Sequence, residues 1–213
     1  MSIKHYDAVI FDVDGTLTST NELIFASFNH IYEKYFGKKA TDEEIIALFG
    51  PTEDIIIDRL FPDNHEQVKE DYYAFYEAHH EMAALYPGIR ELLHALKARG
   101  TILGIFTGKG RRAAIITLKM FGLFGYFDLI ITGDEVVNHK PDGEGIFKFF
   151  EQFPLDKDKV LMVGDAPPDI IASRQAGIRI ASVVWDSYAK DEVMELNSDY
   201  IFHTVQELSA FLL

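Results

Sequence analysis

An apolar run at residues 8–11 leads directly into two aspartates, Asp12 and Asp14, which are one residue apart and precede Gly15. The run predicts a buried strand, and because alternate residues of a strand point to one side, both carboxylates should face the same space. Gly15 lets the backbone turn sharply and approach a ligand closely. Two acids at the C-terminal end of a strand suit magnesium binding and phosphoryl chemistry, and the strand before them argues against a calcium-binding loop.

The composition indicates an acidic globular protein. Hydrophobic residues make up 48% of the 213 residues, which is enough for a sizeable core and argues against disorder. Acids outnumber bases 34 to 20, and the formal net charge of −14 disfavours nucleic acid and anionic membrane surfaces as partners. The chain has no cysteine, which excludes disulfides and thiolate sites and fits a cytoplasmic location. We also expect no signal peptide and no transmembrane helix.

Strand-like runs alternate with helical patterns through the second half of the chain. The predicted strands are 8–13, 102–107, 129–132, 160–163, 180–184 and 199–202, and the predicted helices lie near 88–99, 111–121, 143–153, 167–176 and 205–212. This alternation predicts an α/β fold with a parallel sheet that helices cover on both faces. Thr41 with Glu44, and Thr204 with Glu207, predict capping boxes at two helix N-termini.

Residues 20–84 interrupt this alternation. Apolar residues such as Ile24 and Phe28 recur there at helical spacing, and no convincing strand pattern is present. We therefore expect an all-helical block inserted after the first strand, with residues 18–20 and 85–88 as its hinges. The predicted division is an α/β core of residues 1–19 and 85–213 and a helical cap of residues 20–84.

Polar residues also follow three further predicted strands. They are Thr107 and Gly108 after the second strand, Lys140 beyond the third, and Asp165 and Asp169 after the fourth. Ligands of open parallel sheets bind outside the C-terminal ends of the strands. We therefore expect these residues to converge with Asp12 and Asp14 in one crevice.

In this order the motifs resemble those of the haloacid dehalogenase-like hydrolase superfamily. The matching segments are Asp12-Val13-Asp14-Gly15-Thr16-Leu17, Thr107-Gly108, Lys140-Pro141 and Gly164-Asp165-Ala166-Pro167-Pro168-Asp169. The resemblance covers essentially the whole chain and is nearest to the phosphoglycolate phosphatase-like and β-phosphoglucomutase-like branch. It implies a Rossmann-like core with an all-helical cap, a phosphoric monoester hydrolase activity and Mg²⁺ as cofactor.

The resemblance also implies catalytic and phosphate-binding roles. Asp12 would be the nucleophile that forms an aspartyl-phosphate, and Asp14 would be the general acid and base. Thr107, the Gly108 N–H and Lys140 would bind the phosphate oxygens.

A third set of implied roles concerns the metal. Asp12, Asp165 and the backbone carbonyl of Asp14 would coordinate Mg²⁺. Asp169 would be a further ligand or an anchor behind the ligands.

Other positions do not decide which residues determine substrate specificity. Lys109 and Arg111 are positive groups that could assist at the phosphate. Residues 50–52 are either a substrate-facing cap loop or a turn between helices with Pro51 at a first helical position.

The sequence thus predicts a Mg²⁺-dependent, phosphoglycolate phosphatase-like enzyme that hydrolyses a small phosphorylated metabolite. The alternatives within enzymes are an inorganic pyrophosphatase and a β-phosphoglucomutase-type phosphotransferase. A non-catalytic phospho-ligand sensor on the same fold is the alternative outside enzymes. The expected partner is the small metabolite, with no nucleic acid and no membrane, and the expected state is a monomer or a weak homodimer.

Overall fold

A computed structural model describes residues 5–187 and 189–213. Residues 1–4, which the predicted core includes, and Tyr188 lie outside that description. In chain order the strands are β1 (Ala8–Phe11), β2 (Thr18–Ser19), β3 (Ala84–Leu85), β4 (Ile102–Phe106), β5 (Leu129–Ile131), β6 (Val160–Gly164), β7 (Arg179–Val183) and β8 (Tyr200–Phe202).

Six of these strands form one parallel sheet in the spatial order β5-β4-β1-β6-β7-β8. β1 lies inside the sheet, with Phe11 in register with Ile105 of β4 and Val163 of β6. Each strand corresponds to a predicted one, so the predicted α/β fold with a parallel sheet is confirmed. The order places the C-terminal ends of β4, β1 and β6 side by side, where the candidate site residues follow.

Helices cover both faces of the sheet and fill the segment between β2 and β3. They are α1 (Asn21–Phe36), α2 (Asp42–Ile46), α3 (Glu53–Leu60), α4 (His65–Ala78), α5 (Ile89–Ala98), α6 (Arg111–Met120), α7 (Glu144–Gln152), α8 (Pro167–Ala176), α9 (Lys190–Glu195) and α10 (Val205–Leu212). Both predicted capping boxes are present, at the start of α2 and of α10. No helix in the described ranges is long and apolar enough to cross a bilayer.

Two apolar layers sandwich the sheet. On one face α5 and α10 bury side chains such as Leu92 and Leu208, and on the other α7 and α8 bury Phe149 and Ile170. Gly104 of β4 permits this close packing, because a Cβ there would lie 2.1 Å from the Phe149 ring. Such burial of large apolar side chains is the main stabilising contribution to a core of this kind.

The segment between β2 and β3 is helical, as predicted, and has its own apolar cluster, which includes Phe28, Ile31 and Tyr72. The antiparallel pairing of β2 with β3 brings the entry and exit of this insert together, with Thr18 opposite Leu85. Strands of two residues leave no periodicity in a sequence, so the pairing was not predicted. The division into core and cap at residues 20 and 84 stays a prediction.

Candidate active site

Asp12 and Asp14 occupy the turn that follows β1. The backbone N–H of Asp12 still donates to the Val163 carbonyl at 2.9 Å, so the sheet fixes its position. The chain then turns at Gly15, which has a φ of +78°. A Cβ at Gly15 would lie 2.2 Å from Oδ2 of Asp165. Glycine is therefore what allows this turn to approach the Asp165 carboxylate.

Lys140 lies between Asp12 of this turn and Asp169 of α8. Its Nζ is 2.9 Å from Oδ1 of Asp12 and 2.5 Å from Oδ1 of Asp169, and it also lies 4.7 Å from the centre of the Phe106 ring. Burial acts to lower the pKa of Lys140, but the charges of Asp12 and Asp169 outweigh it and raise the pKa to about 12. Lys140 therefore holds a positive charge beside the nucleophile candidate.

Three carboxylates form a compact cluster. Asp12, Asp165 and Asp169 each offer an oxygen, and these oxygens lie within 4.8 Å of one another. Thr16 donates to Asp165 at 3.0 Å, and Asp169 accepts the Ala166 N–H at 3.1 Å near the start of α8. These bonds fix the direction of both side chains.

The three carboxylates are buried close together, which disfavours their charged forms. Burial raises the pKa of Asp12 to about 6, with Asp169 adding to the rise and Lys140 opposing it. Burial and the neighbouring charges of Asp12 and Asp169 raise the pKa of Asp165 well above its usual range. An all-oxygen donor set with excess negative charge fits a hard divalent cation such as Mg²⁺.

The phosphate-binding candidates follow β4. Thr107 is buried, its N–H donates to the Ile131 carbonyl at 3.1 Å, and its hydroxyl accepts the Lys109 N–H at 3.2 Å. At Gly108 a Cβ would meet nothing within 4 Å, so its backbone borders open space. That space is a cavity of about 330 Å³. All seven predicted site residues line it, namely Asp12, Asp14, Thr107, Gly108, Lys140, Asp165 and Asp169.

Lys109 and Glu53 also line the cavity. Lys109 was predicted only as a possible helper at the phosphate, and Glu53 was not predicted as a site residue. Lys109 Nζ lies 3.1 Å from Oδ2 of Asp14 and 3.3 Å from Oε1 of Glu53, and only 1% of the Lys109 side chain is exposed. Glu53 begins α3, and its other oxygen accepts the Gly110 N–H at 2.7 Å. A carboxylate of the helical insert is therefore joined, through Lys109, to Asp14 in the turn after β1. Arg111 instead pairs with Glu135 at 2.8 Å and is half-exposed.

The sequence pattern of the haloacid dehalogenase-like hydrolases matches residues 9–183, a span that contains every predicted site residue. The chain belongs to this family. A relative named pyrophosphatase PpaX, from Halalkalibacterium halodurans, is 35% identical over 95% of this chain and 94% of its own length. Another PpaX, from Bacillus pumilus, is 32% identical over 100% of this chain and 99% of its own length.

Solved structures show the same haloacid dehalogenase-like architecture. A predicted phosphoglycolate phosphatase from Haemophilus somnus matches with a TM-score of 0.83 over 100% of both chains, at 22% identity. At that identity the likeness concerns the fold. Together with the phosphatase names of the closer relatives, membership of this hydrolase family makes the chain an enzyme of the phosphatase type.

The helical insert of this hydrolase supplies the remaining wall of the cavity. Gly50 and Pro51 line the cavity, in agreement with the expectation of a substrate-facing loop. Pro51 is not at a first helical position, because α3 begins at Glu53 with Thr52 before it. Residues 50–52 do lie between α2 and α3, so only the predicted helical position of Pro51 is wrong.

Proposed function

We propose that this haloacid dehalogenase-like hydrolase is a Mg²⁺-dependent phosphatase that cleaves a small phosphorylated metabolite through an aspartyl-phosphate on Asp12. The observation that carries the proposal is the meeting of Asp12, Asp14 and Lys140 with Asp165 and Asp169 on one cavity. A nucleophile, a proton donor and a counter-charge are the groups that phosphoryl transfer requires. We place the enzyme in the cytoplasm, as a monomer or weak homodimer.

In the first step a carboxylate oxygen of Asp12 attacks the phosphorus of the substrate. The bond from phosphorus to the leaving oxygen breaks, and protonated Asp14 donates its proton to that oxygen. The products are the free alcohol and a phosphorylated Asp12. The Thr107 hydroxyl and the Gly108 N–H bind phosphate oxygens, while Lys140 offsets their charge.

In the second step a water molecule attacks the phosphorus of the aspartyl-phosphate. Asp14, now a carboxylate, takes the proton of that water, and the bond between phosphorus and the Asp12 oxygen breaks. Inorganic phosphate leaves, and Asp12 is regenerated as a carboxylate. Asp14 thus donates a proton in the first step and accepts one in the second. Its position two residues after Asp12 places both carboxylates at the same cavity.

The residues that would hold Mg²⁺ are Asp12, Asp165 and the backbone carbonyl of Asp14. When bound, the ion neutralises phosphate charge and orients the nucleophile. An oxygen of Asp169 also lies within 4.8 Å of oxygens of Asp12 and Asp165, but Oδ1 of Asp169 pairs with Lys140 at 2.5 Å. That ion pair supports a role for Asp169 in anchoring Lys140 beside the metal ligands.

A second candidate is hydrolysis of inorganic pyrophosphate. It is favoured by the PpaX names of relatives that match this chain over nearly their full length. The same residues would act in the same order, with phosphate as the leaving group. The two candidates therefore differ in what the remaining wall of the cavity must bind.

Phosphate release measured with Mg²⁺ on Asp12→Asn tests the proposal. The amide keeps the shape of the side chain but is a poor nucleophile, so we expect activity on every substrate to fall by at least ~1000-fold. Asp158→Asn, an exposed acid of the core, is the matched control and should keep wild-type activity. Near wild-type turnover by Asp12→Asn would refute the proposed nucleophile.

A further inference from the structure

The helical insert contributes a mostly apolar wall to the active-site cavity. The apolar residues that it contributes are Ile24, Phe28, Ile46, Phe49, Pro51 and Ile56. The catalytic carboxylates and Lys140 come instead from the core, from the segments that follow β1, β5 and β6. The cavity therefore has a charged part, where the phosphoryl group reacts, and an apolar part beside it.

Part of this apolar wall is exposed. Ile46 and Phe49 each remain 44% exposed, although Phe49 stacks on Phe25 with ring centres 6.1 Å apart. Large apolar side chains that face water around a polar reaction centre are typical of a surface that a ligand covers. Burying them against an apolar group would be favourable.

The charges around the cavity also favour an uncharged group beside the apolar wall. Among the described residues that line it, the cations are Lys109 and Lys140. Lys140 pairs with Asp12 and Asp169, and Lys109 pairs with Asp14 and with Glu53 of the insert. The polar groups that the insert adds are Asn21 and the carboxylate Glu53. A second phosphate in this part of the cavity would lie against apolar carbon and would find no unpaired cation among the described lining residues.

We propose that the substrate is a phosphate monoester whose leaving group is an uncharged organic group with an apolar surface, rather than pyrophosphate. The proposal rests on the proposed phosphatase function and specifies its substrate class. A cavity of about 330 Å³ is at the small end of the range of roughly 300–1,000 Å³ for ligand pockets. The organic group is therefore small, about the size of a short alkyl chain or one ring.

The test is kcat/KM for ethyl, butyl and hexyl phosphate and for pyrophosphate, each with Mg²⁺. The three alcohols have nearly the same basicity, so differences among the esters report on contacts of the alkyl chain. We expect kcat/KM to rise with chain length by up to ~4-fold per methylene, the limit for a fully buried CH₂. The value for pyrophosphate should lie below that for butyl phosphate.

Phe49→Ala tests whether the proposed wall makes these contacts. It should reduce the ratio of kcat/KM for hexyl over ethyl phosphate, because the longer chain loses its apolar neighbour. Phe124→Ala is the matched control, since Phe124 is 42% exposed and lies outside the cavity. It should leave the ratio at the wild-type value.

Three results would overturn the inference. Equal kcat/KM for the three esters would do so, as would faster hydrolysis of pyrophosphate than of every ester, or an unchanged ratio in Phe49→Ala. In each case phosphate is still released, and the phosphatase function stands. No phosphate release from any of the four compounds would instead overturn the proposed function itself, and the substrate class with it.

Discussion

The Nζ atom of Lys109 lies 3.1 Å from Oδ2 of Asp14. The same nitrogen lies 3.3 Å from Glu53 and 5.1 Å from the centre of the Tyr76 ring. Burial acts to lower the pKa of Lys109, but Asp14, Tyr76 and Glu53 outweigh it and raise that pKa well above its usual range. One buried ammonium thus joins the proposed general acid to the helical insert.

Replacement of this ammonium should destabilise the fold. Lys109→Met leaves Asp14 and Glu53 without their shared counter-charge, and loss of one partner of a buried ion pair costs about 3 kcal/mol or more. Denaturant unfolding would measure the loss. Lys119→Met, an exposed lysine of α6, is the control and should change the free energy of unfolding by less than about 0.5 kcal/mol. Equal stability of the two variants would argue against a structural role for the Lys109 pair.

A methyl group at Gly15 should disturb the proposed metal ligands. In Gly15→Ala the new Cβ would lie 2.2 Å from Oδ2 of Asp165, so that carboxylate must move. Gly37→Ala is the matched control, because Gly37 also has a positive φ, +68°, and has nothing within 4 Å of its Cβ position. Both variants should lose about 1–2 kcal/mol from the left-handed backbone.

The Mg²⁺-induced rise in Tm separates the two glycine variants. We expect Gly15→Ala to lose most of it, while Gly37→Ala keeps it. A full Mg²⁺ response in Gly15→Ala would show that the approach of this turn to Asp165 is not required for metal binding.

Stabilisation by Mg²⁺ should depend on pH. The pKa of Asp12 is raised by burial from 3.8 to about 6, and that of Asp165 is also raised. Between pH 3.8 and about 6 the folded protein without metal binds more protons than the unfolded chain. Asp12 and Asp165 therefore make the free energy of unfolding fall as pH rises through this range. A cation must displace those protons at low pH and meets free carboxylates at high pH.

Thermal unfolding at pH 5 and pH 8, with and without Mg²⁺, measures this effect. The increase in Tm caused by Mg²⁺ should be several degrees larger at pH 8 than at pH 5. KCl at the same ionic strength should give no such difference. An equal or larger response at pH 5 would contradict the assignment of Asp12 and Asp165 as ligands.

Local signals in the sequence were sufficient for the sheet and for the core of the site. Each strand of the parallel sheet is a short apolar run, and each capping box depends on residues only three positions apart, such as Thr41 and Glu44. The parallel order then places strand ends together, so Asp12 and Asp165 could be paired without coordinates. α9 was not predicted because it is short and buries only Val193 in a mostly charged segment.

Contacts between the insert and the core could not be predicted in the same way. The bond from Gly110 to Glu53 joins residues 57 positions apart, and nothing in the pattern of the insert shows which face of α3 meets the core. Lys109 and Arg111 are both basic and close in sequence. Only the packing of α3 and α4 against the core decides that Lys109 is buried while Arg111 faces solvent.

A pre-steady-state burst experiment on Asp14→Asn, with substrate in excess, tests most directly whether Asp12 carries the phosphoryl group. With p-nitrophenyl phosphate the leaving group needs no proton, so the first step should proceed while the second lacks its base. We expect a burst of nitrophenolate equal to the enzyme concentration. After an acid quench, peptide mass spectrometry should find one phosphoryl group on Asp12. Release of phosphate without a burst, or a phosphoryl group on another residue, would contradict the account.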